Sequence, residues 1–194
     1  MKMRYILAAS LLAAALVPVS AGASGLTAEQ LEELNTLNIM RGDENGNLRL
    51  SDSITRAEAA RMLCEAGGIS TSWHSGEFSD VPPEHWAFNY ICALKDSGIA
   101  DGDGNGNFNP EGRITNEEAV KMTVCLLGYG VIAEHTGGFP SGYAAIAAQV
   151  GITHDMQLVP GQYAARNDVG EMISNALGIP LLQKRSAEQG DEYY

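Results

Sequence analysis

The chain has 194 residues, a formal net charge of −12 and a hydrophobic fraction of 45%. This length and composition are typical of one globular domain with its own core. The acidic excess argues against nucleic acid and anionic lipid as general partners, because most of the surface would repel them. An anionic ligand therefore has to be held in a local basic pocket.

The first 23 residues are predicted to be a secretory signal peptide. Lys2 and Arg4 precede an apolar run from Tyr5 to Val17, and the small residues of Ala21–Ala23 form a cleavage site. This run is shorter than the ~20 residues of a membrane helix, so no membrane span is expected after cleavage. The mature chain is predicted to begin at Ser24, and loss of two bases and no acid lowers its formal charge to −14.

The chain repeats itself at a spacing of 60 residues. The residues that recur identically 60 positions later include Leu34, Gly42, Asp43, Asn45, Gly46, Asn47, Ile54, Thr55, Glu58, Ala59 and Met62. Repeats of this kind are supersecondary units that bury their apolar faces by stacking on one another. We predict repeat one at 24–69, repeat two at 78–130, a degenerate repeat three at 139–179 and a flexible tail at 180–194.

Repeat one is predicted to contain two helices. The first runs from about Thr27 to Leu37, and the second runs from Thr55 to about Glu65. Both start with a capping box, in which a threonine and the glutamine or glutamate three residues later satisfy two free backbone amides. Asp/Gly/Asn-rich residues between the helices predict a tight turn.

Repeat two has the same plan. Trp86, Tyr90, Ile91 and Leu94 follow the three-to-four spacing of one buried helix face, so Trp86 is expected in the core. Gly98 is predicted to end this helix. The second helix is predicted to start at Thr115, with Glu118 completing its capping box.

The turn between these two helices has a second interpretation. Asp101, Asp103 and Asn105 match the first half of a calcium loop, but Gly112 stands where the bidentate glutamate is required. A plain glycine-rich turn is therefore favoured, and no metal or other cofactor is expected.

Repeat three preserves the plan in a weaker form. Gly151-Ile152 corresponds to Gly98-Ile99, and Ala165–Asp168 corresponds to 115–118, although Ala165 has no side chain with which to cap a helix. The three cysteines lie in apolar helical segments, at Cys64, Cys92 and Cys125. We predict that they are buried free thiols that pack as small hydrophobic residues.

Several motifs carry a family resemblance, and those of the turn and of the second helix start occur in the same order in repeats one and two. They are Phe78-Ser79-Asp80-Val81, His85-Trp86-Ala87, Gly102–Pro110, Ile114-Thr115 and, in repeat one, Thr55-Arg56-Ala57-Glu58. The chain resembles surface-layer homology (SLH) repeats. The resemblance implies a mainly α fold, with three helix-loop-helix repeats packed as a pseudo-threefold helical bundle. It also implies secretion and non-covalent anchoring to a Gram-positive-type cell wall.

The resemblance further implies a ligand. In the family this is a secondary cell wall polysaccharide, often carrying a pyruvate ketal, bound in grooves between repeats near the Thr-Arg-Ala-Glu signature. The implied ligand-binding residues are Thr55, Arg56 and Glu58 in repeat one, with Arg166 and Asp168 in repeat three. Repeat two has Asn116 in place of the arginine.

Physical chemistry gives Arg56 two interpretations. A guanidinium beside the start of a helix forms a carboxylate site with the free backbone amides. Alternatively, Arg56 pairs with a nearby acid such as Asp52 or Glu58. Trp73, in a Gly/Ser/Thr-rich segment between repeats, is the candidate for stacking on a sugar ring.

Enzyme function is not expected. His74, His85, His135 and His154 are scattered, and no nucleophile-elbow or zinc-protease motif occurs. The sequence therefore predicts a wall-anchoring module. The alternatives are a surface-layer subunit, with other surface-layer proteins as partners, and a degenerate module that serves as a protein–protein adaptor.

Overall fold

The computed structural model describes residues 25–72 and 78–183. These residues form seven α-helices and no named strand, which confirms the mainly α prediction. The helices are α1 (Ala28–Thr36), α2 (Arg56–Gly67), α3 (Phe88–Asp96), α4 (Asn116–Leu126), α5 (Gly130–Thr136), α6 (Ser141–Val150) and α7 (Arg166–Leu177). The predicted signal peptide, Trp73 and most of the tail predicted at 180–194 lie outside the described residues. None of the helices in the described part is long and apolar enough to cross a bilayer.

The predicted capping boxes are present. At α2, Glu58 N–H donates to Thr55 Oγ1 at 3.1 Å, and Thr55 N–H donates to Glu58 Oε2 at 2.8 Å. The boxes of α1 and α4 have the same reciprocal bonds. At α7 only one half remains, because Ala165 N–H donates to Asp168 Oδ2 but Ala165 has no hydroxyl to return a bond. Each box fixes a helix start through hydrogen bonds between residues only three positions apart in the sequence.

The second helices of the three repeats, α2, α4 and α7, pack against one another. Just before them, three buried residues form a closed cycle of backbone hydrogen bonds. Ile114 N–H donates to Ile54 O at 3.2 Å, and Ile54 N–H donates to Ala164 O at 3.3 Å. Ala164 N–H donates back to Ile114 O at 2.9 Å. The cycle satisfies all three amides inside the core and makes repeats one and three neighbours.

A second cycle surrounds the first. The first amide of each of these helices donates to a carbonyl of another repeat, in the pairs Arg56 to Gly112, Asn116 to Gln162 and Arg166 to Asp52, each at 2.9 Å. The direction runs from repeat one to two, from two to three and from three back to one. Pseudo-threefold symmetry itself stays a prediction.

The Asp/Gly/Asn turns are organised by a carboxylate. In repeat two, Asp103 Oδ1 accepts from the amides of Asn105 at 2.8 Å and Asn107 at 3.0 Å. Asp43 makes the equivalent bonds in repeat one. Gly102 has a φ of +73°, and a Cβ there would lie 2.4 Å from Asn107 O. These contacts give the turn residues a structural role, as the glycine-rich-turn interpretation predicts.

These bonds lead to a prediction for Asp103. The Asn107 side chain and the two backbone amides lower the pKa of this carboxyl from 3.8 to about 2. Because the folded-state pKa is depressed, the contribution of Asp103 to folding is present above pH 3.8 and is lost as the pH falls through about 2. We expect a ¹³C NMR titration to place the midpoint of Asp103 near 2, and Asn107→Ala to raise it. A midpoint near 3.8 in the unsubstituted protein would contradict the geometry.

The prediction that Trp86 belongs to the core is wrong. Helix α3 begins at Phe88, after a turn in which Phe88 N–H donates to His85 O, so the helical spacing counted from Trp86 does not apply. Trp86 is 54% exposed. Ile91 and Leu94 are buried, as predicted from the same pattern.

The sequence did not predict two structural features near repeat three, namely helix α5 and a hydrogen bond made by the chain after Pro180. Helix α5 lies between the two units that the sequence separates, and it packs against α6 and α4. Beyond Pro180, Leu182 N–H donates to Leu127 O at 2.8 Å, so the chain remains bonded to the end of α4 at that point. Cys64 and Cys92 are buried and Cys125 is half-buried, in agreement with their predicted packing role.

Candidate functional site

A groove of about 430 Å³ lies where repeats one and three meet, with residues of repeat two at its rim. We call it the arginine groove, because five arginines line it: Arg41, Arg49, Arg61, Arg113 and Arg166. The closed cycle of repeats creates the groove, since it brings the start of α7 beside the loop and second helix of repeat one.

The groove differs in charge from the rest of the chain. Three carboxylates also line it, those of Asp43, Asp52 and Glu58. Five arginines against three carboxylates leave an excess of two positive charges, whereas the whole chain has a formal charge of −12. The Asn47 and Asn45 backbone amides lower the pKa of Asp43 and occupy one of its oxygens. The groove is therefore the kind of local basic pocket that the composition requires for an anionic ligand.

Arg166 is one of the two half-buried arginines of the groove, with Arg61. Its side chain is 13% exposed, Nη2 donates to Arg41 O at 3.1 Å, and Nη1 lies 3.8 Å from Glu58 Oε1. Burial lowers the pKa of Arg166, and the Glu58 charge opposes that shift. Its Nε atom is buried without a hydrogen-bond partner among the described residues. Arginine stays protonated in proteins, so this guanidinium retains a positive charge that is only partly compensated.

The other arginines divide into held and free side chains. Arg61 Nη2 donates to Asn38 O at 3.1 Å, and Arg113 Nη1 donates to Ser53 O. Arg49 Nε lies 2.7 Å from Asp52 Oδ2 in an exposed pair. Arg41 is exposed, and its guanidinium has no hydrogen bond or ion pair with any described residue. Arg41 can therefore turn its five donors towards a bound anion at little cost to the fold.

Trp86 gives the groove an aromatic wall. It stacks on His85 with ring centroids 5.8 Å apart and an interplanar angle of 27°. His85 is held in turn by Glu111 Oε1, 3.0 Å from Nε2, and by Ala87 N–H, which donates to Nδ1 at 3.1 Å. An exposed, oriented indole is a suitable surface for the apolar face of a sugar ring. Sequence reasoning assigned this role to Trp73, which lies outside the described residues.

Arg56 is held between repeats one and two. Its Nη1 lies 2.9 Å from Glu118 Oε1, and its Nε donates to Phe108 O at 2.7 Å. The guanidinium carbon also lies 4.8 Å from the centre of the Phe108 ring, and the side chain is 11% exposed. The sequence named Asp52 and Glu58 as alternative partners, and the actual partner is the equivalent glutamate of the next repeat. Arg56 also lines a smaller second groove of about 120 Å³, together with Lys121 and Phe139.

The junction between repeats two and three has no arginine. Asn116 occupies that position, is buried, and donates from Nδ2 to Val159 O at 3.0 Å. Gly161 N–H donates to Glu117 Oε1 at 2.6 Å. The loop of repeat three therefore packs directly onto the start of α4.

The sequence-predicted site residues thus fall into three places. Arg166 and Glu58 line the arginine groove, Arg56 lines the second groove, and Thr55 and Asp168 act as helix caps. Four groove arginines and Trp86 were missed. No periodic pattern connects these five residues, and two repeats supply them. The only signal in the sequence was Arg166, which occupies the same position in repeat three as Arg56 in repeat one and could have drawn attention to the region.

Residues 27–60 and 77–120 match the model of the S-layer homology domain. These two segments are therefore similar to the S-layer homology domain, which confirms the resemblance found in the sequence. Repeat three lies outside the matched residues, and it is the repeat in which the capping threonine is replaced by Ala165.

The chain is similar to parts of much longer proteins. The chain is 28% identical to the middle cell wall protein of Brevibacillus brevis over 158 residues, which cover 79% of this chain and 15% of that protein. It is 32% identical to the surface-layer 125 kDa protein of Lysinibacillus sphaericus over 124 residues, which cover 60% of this chain and 10% of that protein. These names place the relatives at the cell surface, in agreement with the predicted secreted, wall-associated location.

Some relatives are enzymes. The chain is 36% identical to endo-1,4-beta-xylanase A of Thermoanaerobacterium saccharolyticum over 90 residues, which cover 46% of this chain and 8% of that protein. This chain therefore spans between 8% and 15% of the three relatives named here. The relatives named here thus include two cell-surface proteins and one enzyme.

Proposed function

We propose that the protein is a non-enzymatic module that attaches to the cell wall by binding an anionic secondary cell wall polysaccharide in the arginine groove. The observation that carries this proposal is the convergence of five arginines in one groove of a strongly acidic chain. The match of two segments to the S-layer homology domain and the similarity to cell-surface proteins support it.

The groove has the physical properties that such a ligand requires. Its volume of about 430 Å³ is in the range of small-molecule sites and admits a short stretch of a polymer. Guanidinium groups bind carboxylates through two parallel hydrogen bonds, so Arg41 and Arg166 suit an acidic substituent such as a pyruvate ketal. Trp86 offers a face to the adjoining sugar ring.

The second groove is proposed as a weaker contact for the same polymer. Arg56 and Lys121 are its cations, and both already have acidic partners, Glu118 and Asp101. Thr55, Glu58 and Asp168 contribute by fixing the helix starts from which Arg56 and Arg166 extend. The expected order of importance is therefore Arg166 and its groove first and Arg56 second.

Co-sedimentation tests the proposal. Residues 24–194 are mixed with purified cell-wall sacculi, before and after chemical removal of the secondary polysaccharide. We expect pelleting with intact sacculi, none after removal, and weaker pelleting at higher salt because guanidinium–anion contacts are screened. Unchanged pelleting after removal would rule out the polysaccharide as the ligand. Absence of pelleting with both preparations would favour a protein partner, as in the surface-layer and adaptor alternatives.

A further inference from the structure

The arginine groove and the second groove are built to one plan, each from all three repeats. In the arginine groove the signature arginine is Arg166 of repeat three, the glutamate is Glu58 of repeat one, and the aromatic is Trp86 of repeat two. In the second groove each role passes to the next repeat. The residues are Arg56, Glu118 and Phe139. The two glutamates are 60 positions apart and the two aromatics 53, which are the spacings that relate the repeats in the sequence. The grooves are therefore equivalent sites, and their differences indicate what each one accepts.

One of the equivalent positions that line both grooves changes the sign of its charge. Arg41 lines the arginine groove, and Asp101, 60 residues later, lines the second groove. The Arg41 guanidinium has no hydrogen bond or ion pair with a described residue. Asp101 Oδ2 instead accepts a hydrogen bond from Lys121 Nζ at 3.0 Å. The arginine groove thus presents a free cation where the second groove presents a carboxylate that already holds a lysine.

The second groove consequently has no excess of positive charge. Its two cations, Arg56 and Lys121, are matched by two carboxylates. The arginine groove, by contrast, has five arginines and three carboxylates. Both cations of the second groove are paired, since Arg56 Nη1 lies 2.9 Å from Glu118 Oε1. An anion that entered would have to displace a carboxylate from its cation and would then be repelled by it. The second groove is therefore unsuited to an acidic sugar.

The same groove retains what an uncharged sugar requires. Phe139 is 50% exposed, and Lys121 Nζ lies 5.9 Å from the centre of its ring. An exposed ring of this kind packs against the apolar face of a sugar. A paired guanidinium, ammonium or carboxylate still has donors or lone pairs left for hydroxyl groups, because each offers more than one. The volume of about 120 Å³, against about 430 Å³ for the arginine groove, restricts the ligand to a small unit.

We propose that Asp101 makes the second groove selective for an uncharged sugar unit of the wall polysaccharide, while the arginine groove takes the acidic unit. This inference rests on the proposed function, because it assigns a second unit of the same polymer. Asp101 holds Lys121 in an ion pair, and its negative charge stands where Arg41 offers donors. Binding of different units at two grooves raises the overall affinity, since the second contact is made by a chain that is already bound.

Two glycines report on the grooves separately. Gly42 lines the arginine groove, and Gly102, 60 residues later, lines the second groove. Their amide signals are followed by ¹⁵N NMR while the mature protein is titrated with fragments of wall polysaccharide that are too short to span both grooves. The fragments are used either native or after chemical reduction of their carboxyl groups to alcohols. We expect reduction to weaken binding measured at Gly42 by about tenfold or more, and binding measured at Gly102 by less than about twofold.

The outcomes separate this inference from the proposed function. A Gly42 response to native fragments that Gly102 does not share would overturn the inference alone. An equal loss of affinity at both glycines on reduction would do the same. No response at either glycine would refute the proposed function and the inference together.

Asp101→Asn tests the carboxylate directly. The substitution preserves the size of the side chain, removes its charge and releases Lys121. We expect the preference for native over reduced fragments, measured at Gly102, to rise about threefold or more. Glu32→Gln is the matched control, because it removes one negative charge from an exposed position of α1 that lines neither groove. An unchanged preference in Asp101→Asn, or the same rise in Glu32→Gln, would contradict the proposal.

Discussion

Replacing Phe108 by alanine is expected to lower the free energy of unfolding by about 3–5 kcal/mol, the usual cost of deleting a buried aromatic ring. Phe108 is 1% exposed and its ring centre lies 5.4 Å from that of Phe78. It also supports the junction between repeats one and two, because its carbonyl and ring both contact Arg56. The substitution leaves an apolar cavity and also removes the aromatic ring that the Arg56 guanidinium contacts. Urea unfolding followed by circular dichroism measures the change.

Phe139 provides the matched control. It is also a phenylalanine, but it is 50% exposed. Phe139→Ala is expected to change the free energy of unfolding by only about 0.5 kcal/mol, as is usual for a surface substitution. Similar losses for the two variants would show that Phe108 is not part of a close-packed junction. A changed denaturant dependence in Phe108→Ala would show instead that repeats one and two unfold separately.

Replacing Arg41 by alanine is expected to weaken binding to wall polysaccharide by about tenfold or more. A hydrogen bond to a charged group contributes about 1.5–3 kcal/mol, and 1.4 kcal/mol corresponds to one factor of ten in affinity. Arg41 is the informative position, because its guanidinium has no hydrogen bond or ion pair with a described residue, while its carbonyl accepts the bond from Arg166. Alanine preserves that carbonyl, so the melting temperature should stay unchanged. Arg166→Ala would reduce binding as well, but would also remove contacts within the fold.

Lys95→Ala is the charge-matched control for Arg41→Ala. Lys95 lies on α3 with its ammonium 4.2 Å from the centre of the Phe78 ring, and it lines neither groove. Both variants remove one positive charge from the chain, so a general electrostatic effect would appear equally in both. Isothermal titration with solubilised polysaccharide distinguishes the cases. Equal affinities for Arg41→Ala and the unsubstituted protein would exclude the arginine groove as the main binding site.

The features that the sequence predicted correctly depend on bonds between near neighbours. The capping boxes connect residues three apart, and Asp103 organises its turn by bonds to residues two and four positions later. Such contacts form in any context that allows the local backbone shape. The prediction for Trp86 was wrong because a local feature was overlooked. The turn at His85 delays the start of α3 to Phe88, two residues after Trp86, so Trp86 is not part of the helical pattern.

The candidate site depends on contacts that the sequence does not encode locally. Arg166 Nη2 bonds to Arg41 O across 125 positions of sequence, and Arg56 pairs with Glu118 of the next repeat, not with a neighbouring acid. Repeated sequence determined that three similar units would stack, and their capping motifs determined where the helices begin. The tertiary structure alone decided which arginines converge, because closure of the hydrogen-bond cycle through Ile54, Ala164 and Ile114 places the first repeat beside the last.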